Sequence, residues 1–395
     1  MSERLPSAPW TARADLAVMV AALGSGTIRY VGGAVRDTLL GAPVSDIDCA
    51  TVLLPEDVIA RLEAAGIRTI PTGLAHGTVT ALLEGGNVEI TTLRRDLETD
   101  GRRADVAYST DWREDAARRD FTINALYADP QTLDLFDYFD GLDDLAARRV
   151  RFIGDARERI AEDHLRILRY FRFQARFGAE PDAGAEQACT DLRDTMKGLS
   201  RERVGWELLT LLALPDPAPT VRRMHERGVW QVVMPETCRK ELETLEKLVA
   251  SEAAQGVPAK ALRRLAALLP PFPHIAEAVA ARLRLSGKQR KRLGCLAERN
   301  ASDGENPRAL AYREGLDCAV DRLLLAGYPI DNLQGWDVPR LPIKGGDVVA
   351  AGIDAGPQVA RILRDVEDVW IAENFPAEPR SRELLSQKVL EARKK

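Results

Sequence analysis

The sequence predicts an α+β protein in which a mixed-sheet head comes first and helices alone follow. Three observations carry this. Short β-rich segments, "TIRYVGG" at 27–33, "TVTALL" at 78–83 and "NVEITTL" at 87–93, lie among helical stretches such as "PEDVIARLEAAG" at 55–66. From "ERIAEDHLRILRYFRFQARFG" at 158–178 onward, nearly every segment has helical periodicity. Pro-rich breaks at "LPDPAPT", "LPPFPH" and "AENFPAEP" cut that helical region into packed subdomains. The expected organisation is a head over 1–145, a helical neck over 146–235, a helical body over 236–330 and a helical tail over 331–395. No repeat, low-complexity tract or heptad run interrupts it, and the charged residues 376–395 are expected to end in a frayed helix.

With 395 residues, 45% hydrophobic and 29% charged, the chain can bury a substantial core and reads as a soluble globular protein. No run of eighteen apolar residues occurs, and Glu3, Arg4 and Pro6 stand where a secretory signal would be apolar, so a cytoplasmic protein with no membrane partner is expected. Cys49, Cys189, Cys238, Cys295 and Cys318 are odd in number, scattered and never in a C-x-x-C arrangement, which indicates neither a disulfide framework nor a zinc site. A net charge of −5 argues mildly against a protein coated with positive charge, but phosphate binding needs only a local basic face. "RLRLSGKQRKR" at 282–292, with six positive and no negative side chains, is either such a face or a solvated helix surface.

The densest chemistry lies in "RYVGGAVRDTLLGAPVSDIDCAT", residues 29–51. Strand residues two apart project to one face, roughly 7 Å apart along the chain, so Asp46 and Asp48 point together while Ile47 and Cys49 turn into the core. Adjacent carboxylates repel unless a cation joins them. Mg²⁺ takes one or two carboxylate oxygens together with substrate phosphates, the arrangement suited to phosphoryl or nucleotidyl transfer. The Gly32-Gly33 turn lets backbone N–H groups approach phosphates, and Arg36 offers a planar fork for their oxygens. Each element alone is equally a turn or a solvated strand edge.

Taken together, a strand, Gly-Gly-x-Val-Arg-Asp and D-x-D about ten residues later resemble the signature of the class II tRNA nucleotidyltransferase and bacterial poly(A) polymerase superfamily. The resemblance implies a polymerase-type nucleotidyltransferase head, with the glycines on a triphosphate and Asp46 and Asp48 on metal, Mg²⁺ in a two-metal site. "NVEITTLR" puts Glu89 on a second strand between apolar Val88 and Ile90. A buried strand glutamate needs a partner, and a third catalytic carboxylate would be one; an edge-strand surface glutamate is the alternative. "RRDFTINALYAD" at 118–129 matches the family's second motif, which makes Arg119 a nucleotide ligand and Asp120 a ribose contact by resemblance. The "RRD" at 94–96 lacks the following Phe-Thr-Ile-Asn and is set aside.

"EDHLRILRYFRF" carries Glu162 and Asp163, then Arg166, Arg169 and Arg172 at three-residue spacing, so on a helix Asp163 and Arg166 present one joint edge of acceptors and donors. A surface i,i+3 ion pair is the ordinary alternative. The surrounding Leu165, Ile167, Leu168, Tyr170, Phe171 and Phe173 make the helix apolar over much of its circumference, and three arginines are costly to bury without anionic partners. The segment resembles the family's E-D-x-x-R-x-x-R element, which implies that Asp163 and Arg166 select the incoming base as a protein template while Arg169 and Arg172 face the triphosphate. The polar stretch 93–116 corresponds to a flexible loop that the family needs for the final adenosine. "LPIKGGDVVAAGIDAGPQVARILRDVEDVWIAENF" at 341–375 resembles the family's tail element, with Lys344, Gly345 and Gly346 at a helix start where phosphate could sit; a glycine-capped helix pair explains it equally well.

The resemblance implies an enzyme that adds C, C and A to the tRNA 3′ end from CTP and ATP. A poly(A) polymerase, or an enzyme adding only CC or A, shares the same head. "TGLAHGTVTALL" resembles the transferase pattern, and no long basic C-terminal extension is present. An inactive RNA-binding protein would be expected to lack Asp46, Asp48 or Arg119, and all three are there. A fused His-Asp phosphohydrolase is excluded, because none of His76, His164, His225 and His274 precedes an aspartate.

Overall fold

A computed structural model describes residues 4–96 and 106–393. Strands β1 (Ile28–Val31), β2 (Ile47–Thr51), β3 (Thr69–Gly73), β4 (Thr78–Ala81) and β5 (Val88–Thr92) belong to a seven-stranded sheet, whose last members follow a two-stranded ribbon of β6 (Arg94–Asp96) and β7 (Val106–Tyr108). With β8 (Leu126–Ala128) and β9 (Leu135–Asp137) the sheet order is β3-β4-β5-β2-β1-β8-β9. Only the β2–β5 pair is parallel, so the sheet is mixed. The stretch 93–116 thus opens and closes as a paired ribbon, and its centre, 97–105, lies outside the described residues.

Strand alternation divides the sheet into two unlike faces. Tyr30, Ile47, Cys49, Val79, Ala81, Val88 and Ile90 are buried on one. That side of the core includes Leu16, Met19 and Leu23 of α1 (Ala14–Leu23) and Val58 and Leu62 of the α-helix Pro55–Ala64; α2 (Gly33–Leu39) intervenes in the chain, making the latter α3. Helix α3 packs on α1 and on β3 and β4. On the opposite face, Val31, Ala50, Tyr127, Leu93, Ala116, Ala125 and Ile153 close a second cluster near β1 and β8. Further along that face the register places Thr78 opposite Thr91, Thr80 opposite Glu89, and Asp48 opposite Glu89. The sheet therefore has one polar quarter where burial would otherwise be expected.

The chain after β7 continues through α4 (Trp112–Ala117), α5 (Gly141–Ala146), α6 (Ala156–Glu162), α7 (Arg166–Phe177), α8 (Ala183–Asp191) and α9 (Arg201–Leu212). Asp111 caps α4 by accepting from the Arg113 N–H at 2.8 Å, and Asp155 caps α6 by accepting from Arg157 and Glu158. Helix α7 buries Ile167, Leu168, Tyr170, Phe171 and Phe173. Phe121 lies 4.9 Å from Phe152 and 5.1 Å from Phe173 between ring centroids, so aromatic packing fixes α7 against the "RRDFTIN" segment.

Two compact units account for the chain: Met1–Glu207 with Arg223–Val233, and Leu208–Arg222 with Met234–Lys395. The second is all helical among its described residues. Its last part closes on Ile343, Val348, Ile362, Val366, Trp370, Leu384, Leu385 and Val389. The final helix, Glu378–Arg393, contributes to that cluster and is packed rather than frayed over its described length. One sequence expectation is corrected here: Cys295 and Cys318, 23 residues apart, form a disulfide. The helices Gly287–Ala297 and Leu316–Ala326 pack on each other, and that tertiary contact is invisible in the cysteine spacing.

Candidate active site

Asp48 and Glu89 face each other across the parallel β2–β5 pair, one strand spacing apart, and Asp46 immediately precedes β2. Like charges directly opposite each other destabilise a sheet. Burial, then the Glu89 carboxylate, push the Asp48 pKa up, Asp46 adds to the rise, and Arg119 opposes it. Asp46 is exposed and accepts from the Ser45 hydroxyl at 2.8 Å. Glu89 corrects the expectation of burial: Val88 and Ile90 enter the core, and Glu89 stands exposed on the open face. Strand β5 is internal to the sheet, so Glu89 is not an edge residue either. Among the described residues no three His, Cys, Asp or Glu side chains form a ready metal cage. A hard divalent ion that shares its shell with substrate phosphates needs fewer protein ligands than a cage, and crowded oxygen donors beside an open face fit such an ion.

Gly32 ends β1 with φ 68° and ψ −118° and leads into α2 at Gly33. That backbone conformation is strained for any residue with a Cβ, and a Cβ at Gly32 would lie 3.5 Å from the Asn124 carbonyl oxygen and 3.8 Å from Arg119 Nη1. The turn, Arg119 and Asp48 therefore neighbour one another. Arg119 is held from behind: its Nη2 lies 3.0 Å from Asp115 Oδ2 and its Nε donates to the Tyr127 hydroxyl at 3.1 Å. Asp115 also accepts from the Tyr127 hydroxyl at 2.7 Å and from Arg118 at 2.6 Å. Burial alone would raise the Asp115 pKa, but the charges of Arg119 and Arg118 outweigh it and bring it down to about 2. No sequence motif singles out Asp115, although its spacing to Arg118 and Arg119 is the i,i+3 and i,i+4 spacing of helical ion pairs.

The structure takes Arg36 away from the open face expected of it. Its guanidinium is buried, donates to Asp37 at 2.9 Å and to Asn124 at 2.5 Å, and lies over Phe177. Asp120 likewise points into protein: Oδ1 accepts from the Phe121 N–H and Asn124, and Oδ2 accepts from Arg169 at 2.8 Å. Arg169 also lies 3.5 Å from Glu207, and Arg172 donates to Glu207 at 2.6 Å. The anionic partners that the sequence required for these two arginines are thus Asp120 and Glu207. Glu207, 1% exposed, occupies a core position of α9 between Val204, Leu208 and Leu211. A carboxylate on an apolar stripe was the signal for it.

Asp163 and Arg166 are not on one helix. Glu162 ends α6, Asp163 is extended at φ −148° and ψ 102°, and α7 begins at Arg166. Within this break Asp163 Oδ1 accepts from the Leu165 N–H at 3.1 Å and Oδ2 from Arg203 at 2.7 Å. Arg166 donates to Glu162 at 2.5 Å, to the Arg159 carbonyl at 2.7 Å and to the Arg118 carbonyl at 3.0 Å. The two side chains stay neighbours in sequence but are held by separate partners.

In the second unit, Lys344 caps the helix Gly345–Ala350, and its own N–H is already taken by Asp347 at 2.7 Å, which is the glycine-capped reading. Of the six basic residues at 282–292, Arg282 pairs with Glu236, Arg290 with Glu277 and Arg292 with Asp321. Half of those six basic side chains are therefore paired with carboxylates, Arg292 with the buried Asp321 and Arg290 in a half-exposed pair.

Residues 28–151 match the poly A polymerase head domain, and residues 180–240 match a probable RNA- and SrmB-binding site of polymerase A. The chain is 36% identical over 364 residues to the mitochondrial CCA tRNA nucleotidyltransferase 1 of Danio rerio, covering 87% of this chain and 83% of that protein. It is 32% identical to the CCA-adding enzyme of Levilactobacillus brevis, covering 88% and 90%. The crystal structure of the Bacillus stearothermophilus CCA-adding enzyme in complex with CTP superimposes with a TM-score of 0.75 at 26% identity, over 96% of this chain and 98% of that one. Matching relatives over nearly their whole length, and not through the head alone, the chain belongs to the CCA tRNA nucleotidyltransferase family.

Proposed function

We propose that this protein adds C, C and A to the 3′ end of tRNA from CTP and ATP without a nucleic-acid template. The terminal 3′-hydroxyl attacks the α-phosphorus, the bond to the β-phosphate oxygen breaks, and pyrophosphate leaves. The observation that carries the reading is the opposition of Asp48 and Glu89 on the open face, with Asp46 and Arg119 beside them. Mg²⁺ held by Asp46 and Asp48, next to Glu89, would supply Lewis-acid activation of the hydroxyl and neutralise phosphate charge. Arg119, fixed by Asp115 and Tyr127, binds triphosphate oxygens beside the Gly32-Gly33 turn. Asp163 accepts from the exocyclic amino group that C and A share, and Arg166 donates to a ring acceptor. Asp120, Arg169, Arg172 and Arg36 brace the site through protein contacts and meet the nucleotide only if those contacts rearrange. The head, neck, body and tail divide near 145, 235 and 330, with tRNA held by the helical parts.

We place the reaction in the cytoplasm; the Danio rerio relative is mitochondrial by name, and among the described residues no helix is long and apolar enough to cross a membrane. The function is tested by incubating purified protein and Mg²⁺ with tRNA lacking its 3′ end and each labelled nucleotide separately. Two C from CTP alone, and A only after CC, is the expected result. Untemplated runs of A on an end lacking CC point instead to a poly(A) polymerase.

A further inference from the structure

Cys295 and Cys318 join two helices of the second unit in the wall of a cavity of about 770 Å³, the size of a small-ligand pocket. The helix Gly287–Ala297 supplies one side of it. Lys288, Lys291, Arg292 and Cys295 recur at helical spacing, so they share one face, and all four line the cavity. Six basic side chains stand against three acidic ones in the wall, which makes it cationic. Arg292 is taken by Asp321, whereas the exposed Lys288 and Lys291 have no carboxylate partner among the described residues.

The two sulfurs are unlike. Cys318 is 1% exposed and is the third residue of the helix Leu316–Ala326, where backbone N–H groups and the helix dipole favour a thiolate. Cys295 is partly exposed and lies in the last turn of its helix, where the dipole favours the opposite charge. Cys295 is therefore the reachable sulfur and Cys318 the better leaving group. Arg292 donates to the Asp317 carbonyl at 2.6 Å and pairs with Asp321, so the two helices stay joined when the sulfur bridge opens.

We infer that Cys295 is a thiol-exchange site for small anionic thiols, which Lys288 and Lys291 draw into the cavity. The site lies in the second unit and uses no residue of the proposed nucleotidyl transfer. The incoming thiolate attacks Cys295 Sγ, the Cys295–Cys318 bond breaks, and its electron pair leaves on Cys318 Sγ, which takes a proton from water. Cys295 now carries a mixed disulfide. A second thiolate attacks the outer sulfur of that adduct, releasing the Cys295 thiolate and a dimer of the small thiol. Two small thiols are thereby oxidised and one protein disulfide is reduced.

The test uses the full chain carrying Cys238→Ser, which removes the exposed free thiol, purified without reductant. Anionic glutathione is compared with neutral 2-mercaptoethanol and cationic cysteamine at equal thiolate concentration. Samples are quenched in acid at early times, alkylated with N-ethylmaleimide, digested and read by mass spectrometry, with circular dichroism to verify the fold. Glutathione should appear on Cys295 and maleimide on Cys318. In Lys288→Ala/Lys291→Ala the rate of opening by glutathione relative to 2-mercaptoethanol should fall by about fivefold, and the relative rate for cysteamine should rise; high salt should shift the wild type the same way. Cys318→Ser leaves no second sulfur to displace the adduct, so oxidised glutathione should give a lasting adduct on Cys295 with the same lysine dependence. The inference is overturned if glutathione is found on Cys318 instead, if both cysteines alkylate before any thiol is added, or if the bridge resists thiols in the folded chain. It is equally overturned if the preference for glutathione survives the loss of both lysines.

Discussion

Replacing Asp115 by asparagine keeps the shape of a 1% exposed side chain but removes the charge that two arginines share. Asp115 titrates at about 2 where a free aspartate would titrate near 3.8. By linkage, such a depression is worth about 2 kcal/mol of folding stability. The variant also leaves Arg118 and Arg119 without a counter-charge in a mostly buried setting, and breaking a buried pair from one side costs about 3 to 5 kcal/mol. We therefore expect Asp115→Asn to destabilise the head by about 3 kcal/mol at pH 7. The sign with pH follows from the lowered pKa: the contribution is full above pH 4 and disappears as pH falls through 2, so the gap between wild type and variant narrows below pH 4. Urea unfolding followed by tryptophan fluorescence, together with nucleotide kinetics, is the assay. Because Arg119 loses its support, KM should rise for CTP and ATP alike with the CTP to UTP ratio unchanged. Equal stability and equal KM in the variant would refute the view that Asp115 places Arg119.

Other perturbations test the remaining elements. Asp46→Ala and Asp48→Ala should each abolish incorporation while circular dichroism stays native, and near wild-type turnover in Mg²⁺ would remove them from the metal site; Glu89→Gln should also be impaired, and unchanged activity would make Glu89 a surface residue. Gly32→Ala, at φ 68°, should cost roughly 1–3 kcal/mol of stability and lower nucleotide affinity, so a variant with unaltered unfolding and KM contradicts the turn's role. Deleting residues 341–395 removes a hydrophobic cluster that is largely its own, with Ala309, Tyr312 and Trp336 among its neighbours outside the deletion, and should weaken tRNA binding. Full-chain affinity should fall with rising salt as phosphate contacts release counterions, and equal tRNA affinity in the truncated chain would dismiss the tail as a tRNA contact.

The residues legible in the sequence were those whose placement depends on local geometry. Strand period alone separates Ile47 and Cys49 from Asp48, and a Gly-Gly after a strand marks the turn at Gly32. The same period turns Glu89 outward between Val88 and Ile90, but apolar flanks were read as burial because the open face of the sheet exists only after β4, β5 and β2 pair. Charged partners were the main loss. Three-residue spacing suggested one helix from Asp163 to Arg172, whereas the chain breaks at 163–165 and gives Asp163 to Arg203, forty residues on. Arg169 and Arg172 found Asp120 and Glu207 through the packing of α7 on Phe121 and of α9 on α7's polar edge. Cys295 and Cys318 met for the same reason. Which opposite charges or thiols meet is decided by tertiary contacts, and a single sequence lists the candidates without pairing them.

A single protein site that reads the base must choose C twice, then A, and then stop. Incubating the protein and Mg²⁺ with tRNA that ends at the base before CCA, in an equal mixture of all four triphosphates, and sequencing the product 3′ ends tests this directly. Product ends should accumulate at CCA and extend no further. Ends that carry runs of A, stop uniformly at CC, or incorporate U and G as readily as C and A would contradict it.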